Sequence, residues 1–258
     1  SAPIQIGRFK IKDDHAQNRP LNIPETLVHS SNIVTAKIAD QMGGDPMKAA
    51  FQALGYDEPA HVEIEKSRTL FPNEWSRSRV LTTGYGHGIA VTPLHLASAY
   101  AALVNGGIWR PATLLKSRGA PKGRRVYSEE TSHKMRQLLR VIVLEGTGRR
   151  GAAPGYRVGG KTGTAEKSTA GGYSKKVNVS TFAAAFPMDD PRYVVIVMLD
   201  SPKATADTYG FTSAAWTAAP VVSRVISRSG PMLGVIPVEA RDIDVSALLP
   251  LIGDPRKH

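Results

Sequence analysis

Cysteine is absent from the 258 residues of this sequence, and long apolar runs are missing as well. The first absence excludes disulfide bonds, thiolate–zinc sites and a cysteine nucleophile. The longest apolar run, residues 193–199, is far shorter than the roughly 20 residues that a membrane-spanning helix needs. The first residues lack the basic and apolar regions of a signal peptide, so we expect any export signal to lie outside this sequence.

Acidic residues are outnumbered by basic ones, with 22 Asp and Glu against 33 Lys and Arg and a formal net charge of +11. A basic protein is a candidate nucleic-acid binder only when this charge is clustered. Here the basic residues lie in separate short groups at 122–125, 149–150 and 175–176, without zinc-finger or basic-zipper spacing. We therefore expect no nucleic-acid partner. Metal-ligand spacing is also missing among His, Asp and Glu, so we expect no metal and no other cofactor.

The hydrophobic pattern predicts an α/β protein of the α+β type. Apolar residues at helical spacing, followed by glycine stops, predict four helices at about 33–43, 46–54, 93–104 and 128–146. Three extended segments and a helical stretch follow, at 157–166, 177–186, 192–200 and 212–227. Successive strands with short connections predict an antiparallel sheet flanked by helices.

The two ends of the chain have weaker patterns. The first 28 residues are interrupted by Pro20 and Pro24, which predicts short strand or loop. Residues 231–258 contain Pro231, Pro237 and Pro250 and predict a loosely structured C-terminal tail.

Two motifs overlap at Lys161 and indicate different chemistry. Residues 155–162 satisfy the pattern G-x-x-x-x-G-K-[ST] of P-loop nucleotide-binding proteins. That chemistry requires a buried strand before the loop and a helix after it, because the helix N-terminus holds the phosphates. Residues 148–154 are unsuited to a buried strand, and residues 163–172 lack the apolar stripe of a helix. The nucleotide-binding interpretation is the less favoured one, but it stays open at this point.

The second motif is Lys-Thr-Gly at 161–163 on an extended segment, with Ser30-x-Asn32 at a helix start about 130 residues earlier. Acyl transfer by a serine enzyme needs a cation for the substrate carboxylate, hydroxyls that relay a proton and amides that hold the oxyanion. A Lys-Thr-Gly strand at the edge of a cleft supplies the first two. Each element alone is weak evidence, since a serine before a helix is commonly a cap.

Longer segments make the resemblance specific. The sequence reads GYGHGIAVTPLHLASAYAA at 84–102, VGGKTGTA at 158–165, STFAAAFP at 180–187 and AAPV at 218–221. In this order they resemble the class B penicillin-binding proteins, and the segment from Ile6 to Ile33 is most similar to the septal, FtsI-type members. The resemblance covers residues 4–228. It implies a penicillin-binding protein/serine β-lactamase-like fold, incomplete at the N-terminal side, with residues 1–230 as the C-terminal portion of a transpeptidase domain and 231–258 as its tail.

The resemblance implies a peptidoglycan D,D-transpeptidase that cross-links stem peptides in septal cell-wall synthesis and binds β-lactams. Its partners would be stem peptides ending in D-Ala-D-Ala, β-lactam antibiotics and cell-division proteins, including a septal glycan polymerase. Its place would be the bacterial inner membrane, with this domain facing the periplasm. We expect this chain itself to be soluble, with membrane contact only through an N-terminal anchor outside it.

The resemblance also implies a role for each motif residue. Ser30 would relay protons to the leaving amine, and Asn32 would hydrogen bond the substrate amide and steady the active-site lysine of the family. Lys161 would supply positive charge for the substrate carboxylate. Thr162 and Thr164 would hydrogen bond that carboxylate, Gly163 would let the substrate approach the strand, and the Thr164 amide would serve the oxyanion hole.

The nucleophile of the family is missing from this sequence. It lies in a Ser-x-x-Lys motif, and no serine here has a lysine three residues later. We therefore expect a transpeptidase fragment that is inactive alone. The alternative is a non-catalytic penicillin-binding-like module that binds peptidoglycan or division partners. In a non-catalytic module we would expect the catalytic motifs to have decayed, whereas Ser30, Asn32 and Lys161 are all present.

Overall fold

The computed structural model describes residues 3–7, 9–169 and 172–253. An antiparallel strand pair, β1 (Ile4–Ile6) and β2 (Phe9–Ile11), begins the described chain. A mainly helical part follows, with a small strand pair before its last helix. Its elements are α1 (Ile23–His29), α2 (Asn32–Met42), α3 (Gly44–Ala53), α4 (Arg77–Gly84), α5 (Pro93–Val104), β3 (Ile108–Trp109), β4 (Arg124–Arg125) and α6 (Glu129–Glu145).

The central sheet has three antiparallel strands in the order β5-β6-β7 among the described residues. These strands are β5 (Gly159–Thr169), β6 (Gly172–Phe186) and β7 (Tyr193–Asp200), and α7 (Ala218–Ser229) follows them. The predicted antiparallel sheet flanked by helices is confirmed. The predicted last helix starts too early: residues 212–217 are not helical, and α7 begins at Ala218.

Helices cover both faces of this sheet. On one face, Phe182 and Phe186 of β6 pack in a cluster with Val222 and Ile226 of α7. On the other face, Ala185 packs in a second cluster built largely from α5 and α6. A strand with both faces covered can be apolar at every position, which explains the continuous apolar run of β7 at residues 193–199.

Helix α1 corrects the prediction of strand or loop for the first 28 residues. Asn22 caps the helix, because its side chain accepts a hydrogen bond from the Glu25 amide while the Glu25 carboxylate accepts one from the Asn22 amide. Pro24 lies in the first turn, where a missing N–H costs nothing. The Asn-x-x-Glu pattern was the available signal for this helix.

The segment after residue 230 has only two short 3₁₀ turns, at Pro231–Leu233 and Leu249–Leu251, yet it packs against the body of the protein. Val235, Ile243 and Val245 are buried. Arg140 of α6 forms an ion pair with Asp242 at 2.6 Å. The described part of this segment therefore packs against the rest of the protein although it has little regular secondary structure. Across the described ranges, no helix has the length and hydrophobicity needed to cross a membrane.

Candidate active site

Ser30 and Ser31 separate two consecutive helices and have different roles. Ser31 is buried and caps α2, since its hydroxyl accepts from the Val34 amide and donates to Asp13. Ser30 ends α1 with left-handed backbone angles, φ 57° and ψ 50°, and is exposed. Because Ser31 does the capping, the hydroxyl of Ser30 is left for other contacts.

Lys161 of β5 meets Ser30 across 131 residues of sequence. Its Nζ donates to the Ser30 Oγ at 2.7 Å and to its neighbour Thr162 carbonyl at 2.9 Å. Burial lowers the pKa of Lys161 to about 8. The ammonium is therefore largely charged at neutral pH and loses its charge as the pH rises through about 8. Ser30 and Lys161, which the sequence motifs predict to act together, are in direct contact.

The C-terminal end of α6 lies close to α1, next to the site. Gly146 follows α6, and a Cβ atom at this position would lie 2.8 Å from the carbonyl oxygen of Val28. Thr147 comes next, and its Oγ1 lies 2.8 Å from the Oγ1 of Thr162. Thr147 is a contact residue that the motifs missed, because only its position after the Gly146 helix stop marks it in the sequence.

Gly163 and Thr164 continue the exposed part of β5. A Cβ atom added at Gly163 would meet only the Thr181 carbonyl oxygen, at 4.0 Å, so this position is open. The Oγ1 of Thr164 accepts a hydrogen bond from the Ala214 amide at 3.0 Å, which leaves its own hydrogen available to a ligand. Among the described residues β5 pairs only with β6, so the main chain of its other edge has no strand partner where Gly163 and Thr164 are exposed.

Other glycines of β5 serve packing instead of ligand access. A Cβ atom at Gly159 would lie 2.5 Å from Met188, and one at Gly160 would lie 2.5 Å from the Ala183 carbonyl oxygen. Among the glycines of β5, only Gly163 has open space beside it.

Asn32 is the first residue of α2, two positions after Ser30. Its Nδ2 donates to the Lys12 carbonyl oxygen at 3.0 Å. The side chain is half-buried. The structure therefore brings Asn32 to the same helix junction as Ser30, while its contact with a substrate amide or an active-site lysine remains a prediction.

The nucleotide-binding interpretation is contradicted by the backbone. Lys161 lies inside the strand β5, whereas a P-loop lysine lies where a loop opens a helix. A strand has no cluster of helix N-terminal amides for a phosphate. In the described part of the chain, no group of three or more His, Asp or Glu side chains could hold a metal ion.

Comparisons with known proteins point to one family. The sequence model of one protein family, the penicillin binding protein transpeptidase domain, matches residues 1–223 of this chain. The chain is 44% identical over 245 residues to the "Probable peptidoglycan D,D-transpeptidase FtsI" of Caulobacter vibrioides, covering 90% of this chain and 42% of that protein. It is 32% identical over 242 residues to the PenA protein of Neisseria gonorrhoeae, covering 92% of this chain and 40% of that protein. The chain thus spans about two fifths of the length of these relatives.

Solved structures have the same fold. The apo transpeptidase domain of penicillin-binding protein 3 from Burkholderia pseudomallei superimposes with a TM-score of 0.81 at 33% identity, covering 91% of this chain and 71% of that chain. The mycobacterial penicillin-binding protein 3 complexed with ampicillin gives a TM-score of 0.83 at 27% identity, covering 97% of this chain and 58% of that chain. The fold implied by the sequence resemblance is confirmed.

Proposed function

Because the chain belongs to the penicillin-binding protein transpeptidase family, as a class B member, we propose that it forms the C-terminal part of a septal D,D-transpeptidase domain. The longer protein that contains these residues is called the parent protein below. The observation that carries the proposal is the 2.7 Å contact between the Lys161 Nζ and the Ser30 Oγ. It joins the two motifs of a serine acyltransferase at one end of an open strand edge.

The parent protein would transfer an acyl group in two steps. A serine of a Ser-x-x-Lys motif outside residues 1–258 attacks the D-Ala-D-Ala peptide carbonyl, and the C–N bond breaks as the last D-alanine leaves. The amine of a neighbouring strand then attacks the ester and releases the serine. Ser30 relays the proton to the leaving amine, helped by the adjacent Lys161 ammonium.

The edge of β5 would hold the substrate. Lys161 attracts the terminal carboxylate, and the hydroxyls of Thr162 and Thr164 hydrogen bond it. The open space at Gly163 admits the substrate backbone, and the Thr164 amide donates to the oxyanion. Asn32 hydrogen bonds the substrate amide and the active-site lysine. β-Lactams would occupy the same edge as pseudo-substrates, since their ring carboxylate and strained amide imitate the peptide end.

The same family membership supports a proposal for the location and the partners of the parent protein. We propose that it is anchored in the bacterial inner membrane with this domain in the periplasm, and that it works with cell-division proteins, including a septal glycan polymerase. The support is the similarity to an FtsI-type relative.

A first prediction concerns the chain alone. We expect residues 1–258 to form no covalent adduct with benzylpenicillin, because they contain no Ser-x-x-Lys nucleophile. The parent protein should gain the mass of one benzylpenicillin molecule. Intact-protein mass spectrometry of both proteins provides the measurement.

Two outcomes would contradict this account. An adduct on the chain alone that Ser30→Ala removes would make Ser30 the nucleophile. A parent protein that stays unmodified would favour the non-catalytic module over the enzyme.

A further inference from the structure

Arg150 is an exposed cation, three residues after Thr147, with no acidic partner in the part of the chain that the structure describes. Its neighbour Arg149 differs, because it pairs with Glu145 at 2.9 Å and donates to the Leu144 carbonyl. The guanidinium of Arg150 instead lies 3.6 Å from the centre of the Trp216 ring. A cation–π contact of this kind orients an arginine without neutralising its charge.

Two further aromatic rings contact Trp216 and restrain the ring on which Arg150 stacks. The Trp216 ring lies 5.0 Å from the Phe211 ring at an interplanar angle of 19°, and 5.3 Å from the Tyr209 ring. Arg150 itself lies in the short 3₁₀ helix Arg149–Gly151. Both partners are thus held by local structure, so the guanidinium loses less conformational freedom when it binds an anion.

Short segments of chain link the stack to two threonines of β5. Arg150 is three residues after Thr147, whose hydroxyl lies 2.8 Å from that of Thr162. Trp216 is two residues after Ala214, whose amide donates to the Thr164 hydroxyl. The two partners are therefore tethered to the two hydroxyls to which the proposed function assigns the substrate carboxylate.

We propose that Arg150, held by Trp216, is a second cationic recognition residue for the carboxylate of the acyl donor, in addition to Lys161. The proposal rests on the proposed function and extends it. An arginine keeps its charge at every pH at which proteins are folded, and its planar fork matches a carboxylate. The charge at Lys161 declines as the pH rises through about 8, so Arg150 would carry more of the attraction in alkaline solution.

The test uses the parent protein and the second-order rate of acylation by benzylpenicillin, followed by intact mass. Arg150→Gln should lower this rate about ten- to hundredfold, the effect of losing one charge-assisted hydrogen bond. Arg149→Gln is the matched control, since it removes the same charge one residue away and should change the rate less than twofold. Arg150→Lys should recover part of the loss, and Trp216→Leu should cause a smaller loss in the same direction.

Benzylpenicillin methyl ester separates recognition of the carboxylate from a structural role. Arg150→Gln and the wild type should react with the ester at rates within twofold of each other. The proposal is overturned if Arg150→Gln slows both compounds equally, slows neither, or matches Arg149→Gln. Acylation of the wild type by benzylpenicillin tests the proposed function separately, because it does not depend on the variants.

Discussion

Lys161→Ala in the parent protein should slow acylation by a chromogenic cephalosporin by about 10²- to 10³-fold, the usual cost of removing one preorganised electrostatic group from a site. The substitution removes the cation that lies 2.7 Å from the Ser30 hydroxyl. It should not lower the free energy of unfolding appreciably. The reason is that burial lowers the pKa of Lys161, so folding disfavours its charged form.

Lys167→Ala is the matched control on the same strand. Lys167 pairs with the exposed carboxylate of Asp200 at 2.8 Å, away from the Ser30 contact. Its replacement should leave the acylation rate within about twofold, because Lys167 makes no contact with Ser30. It should also change stability little, because exposed ion pairs contribute little. Second-order acylation rates and thermal melts of the three proteins give the comparison. A loss below tenfold for Lys161→Ala, or a collapsed melting transition, would assign Lys161 to the fold instead of the carboxylate.

Asp189→Ala should destabilise the domain by about 3–5 kcal/mol, the cost of removing one partner of a buried ion pair. Asp189 binds Arg157 at 2.6 Å, and both side chains are at most 10% exposed. Asp189 also binds Arg241 of the C-terminal segment. Without the carboxylate, the Arg157 guanidinium stays buried, and its remaining hydrogen bonds to described residues are those to the carbonyls of Gly155 and Val238.

The melting temperature of the domain in the parent protein gives the measurement. The expected decrease is roughly 6–20 °C at neutral pH for a domain of this size. Asp200→Ala, which breaks the exposed pair with Lys167, should shift it by only a few degrees at most. Equal shifts of the melting temperature for the two variants would show that the ion pairs of Asp189 stabilise the domain no more than an exposed ion pair does.

The destabilisation caused by Asp189→Ala should become smaller as the pH falls. Burial alone would raise the pKa of Asp189, but the hydrogen bonds and charges of Arg157 and then Arg241 outweigh it, so the pKa lies below its usual value. A carboxyl whose folded pKa is lowered contributes stability above its unfolded pKa of about 4. The contribution is lost as the pH falls through the folded pKa. The stability difference between wild type and Asp189→Ala should therefore narrow below about pH 4.

The sheet was predictable from the sequence because its signals are local. Val- and Ala-rich runs bounded by Gly and Asp-Pro turns marked β6 and β7, and the poor helical context of Lys161 predicted an extended backbone there. Helix α1 departs from the sequence prediction because Pro20 and Pro24 both predict a break, whereas Pro24 lies in the first turn, where proline is accommodated.

The site was predictable only in part. The motifs named Ser30 and Lys161, but the 131 residues between them carry no local signal for a contact. The left-handed backbone of Ser30 depends on how α1 and α2 join, and the Thr147–Thr162 and Arg150–Trp216 contacts depend on tertiary packing. None of these follows from propensity or periodicity, which describe single elements.

Release of D-alanine by the parent protein is the most direct test of the proposed transpeptidase. The protein is incubated with a stem peptide ending in D-Ala-D-Ala, free D-alanine is measured, and the acylated serine is located by peptide mapping. We predict D-alanine release with the acyl group on a serine of a Ser-x-x-Lys motif outside residues 1–258. Lack of D-alanine release, or an acyl group on Ser30, would contradict the account.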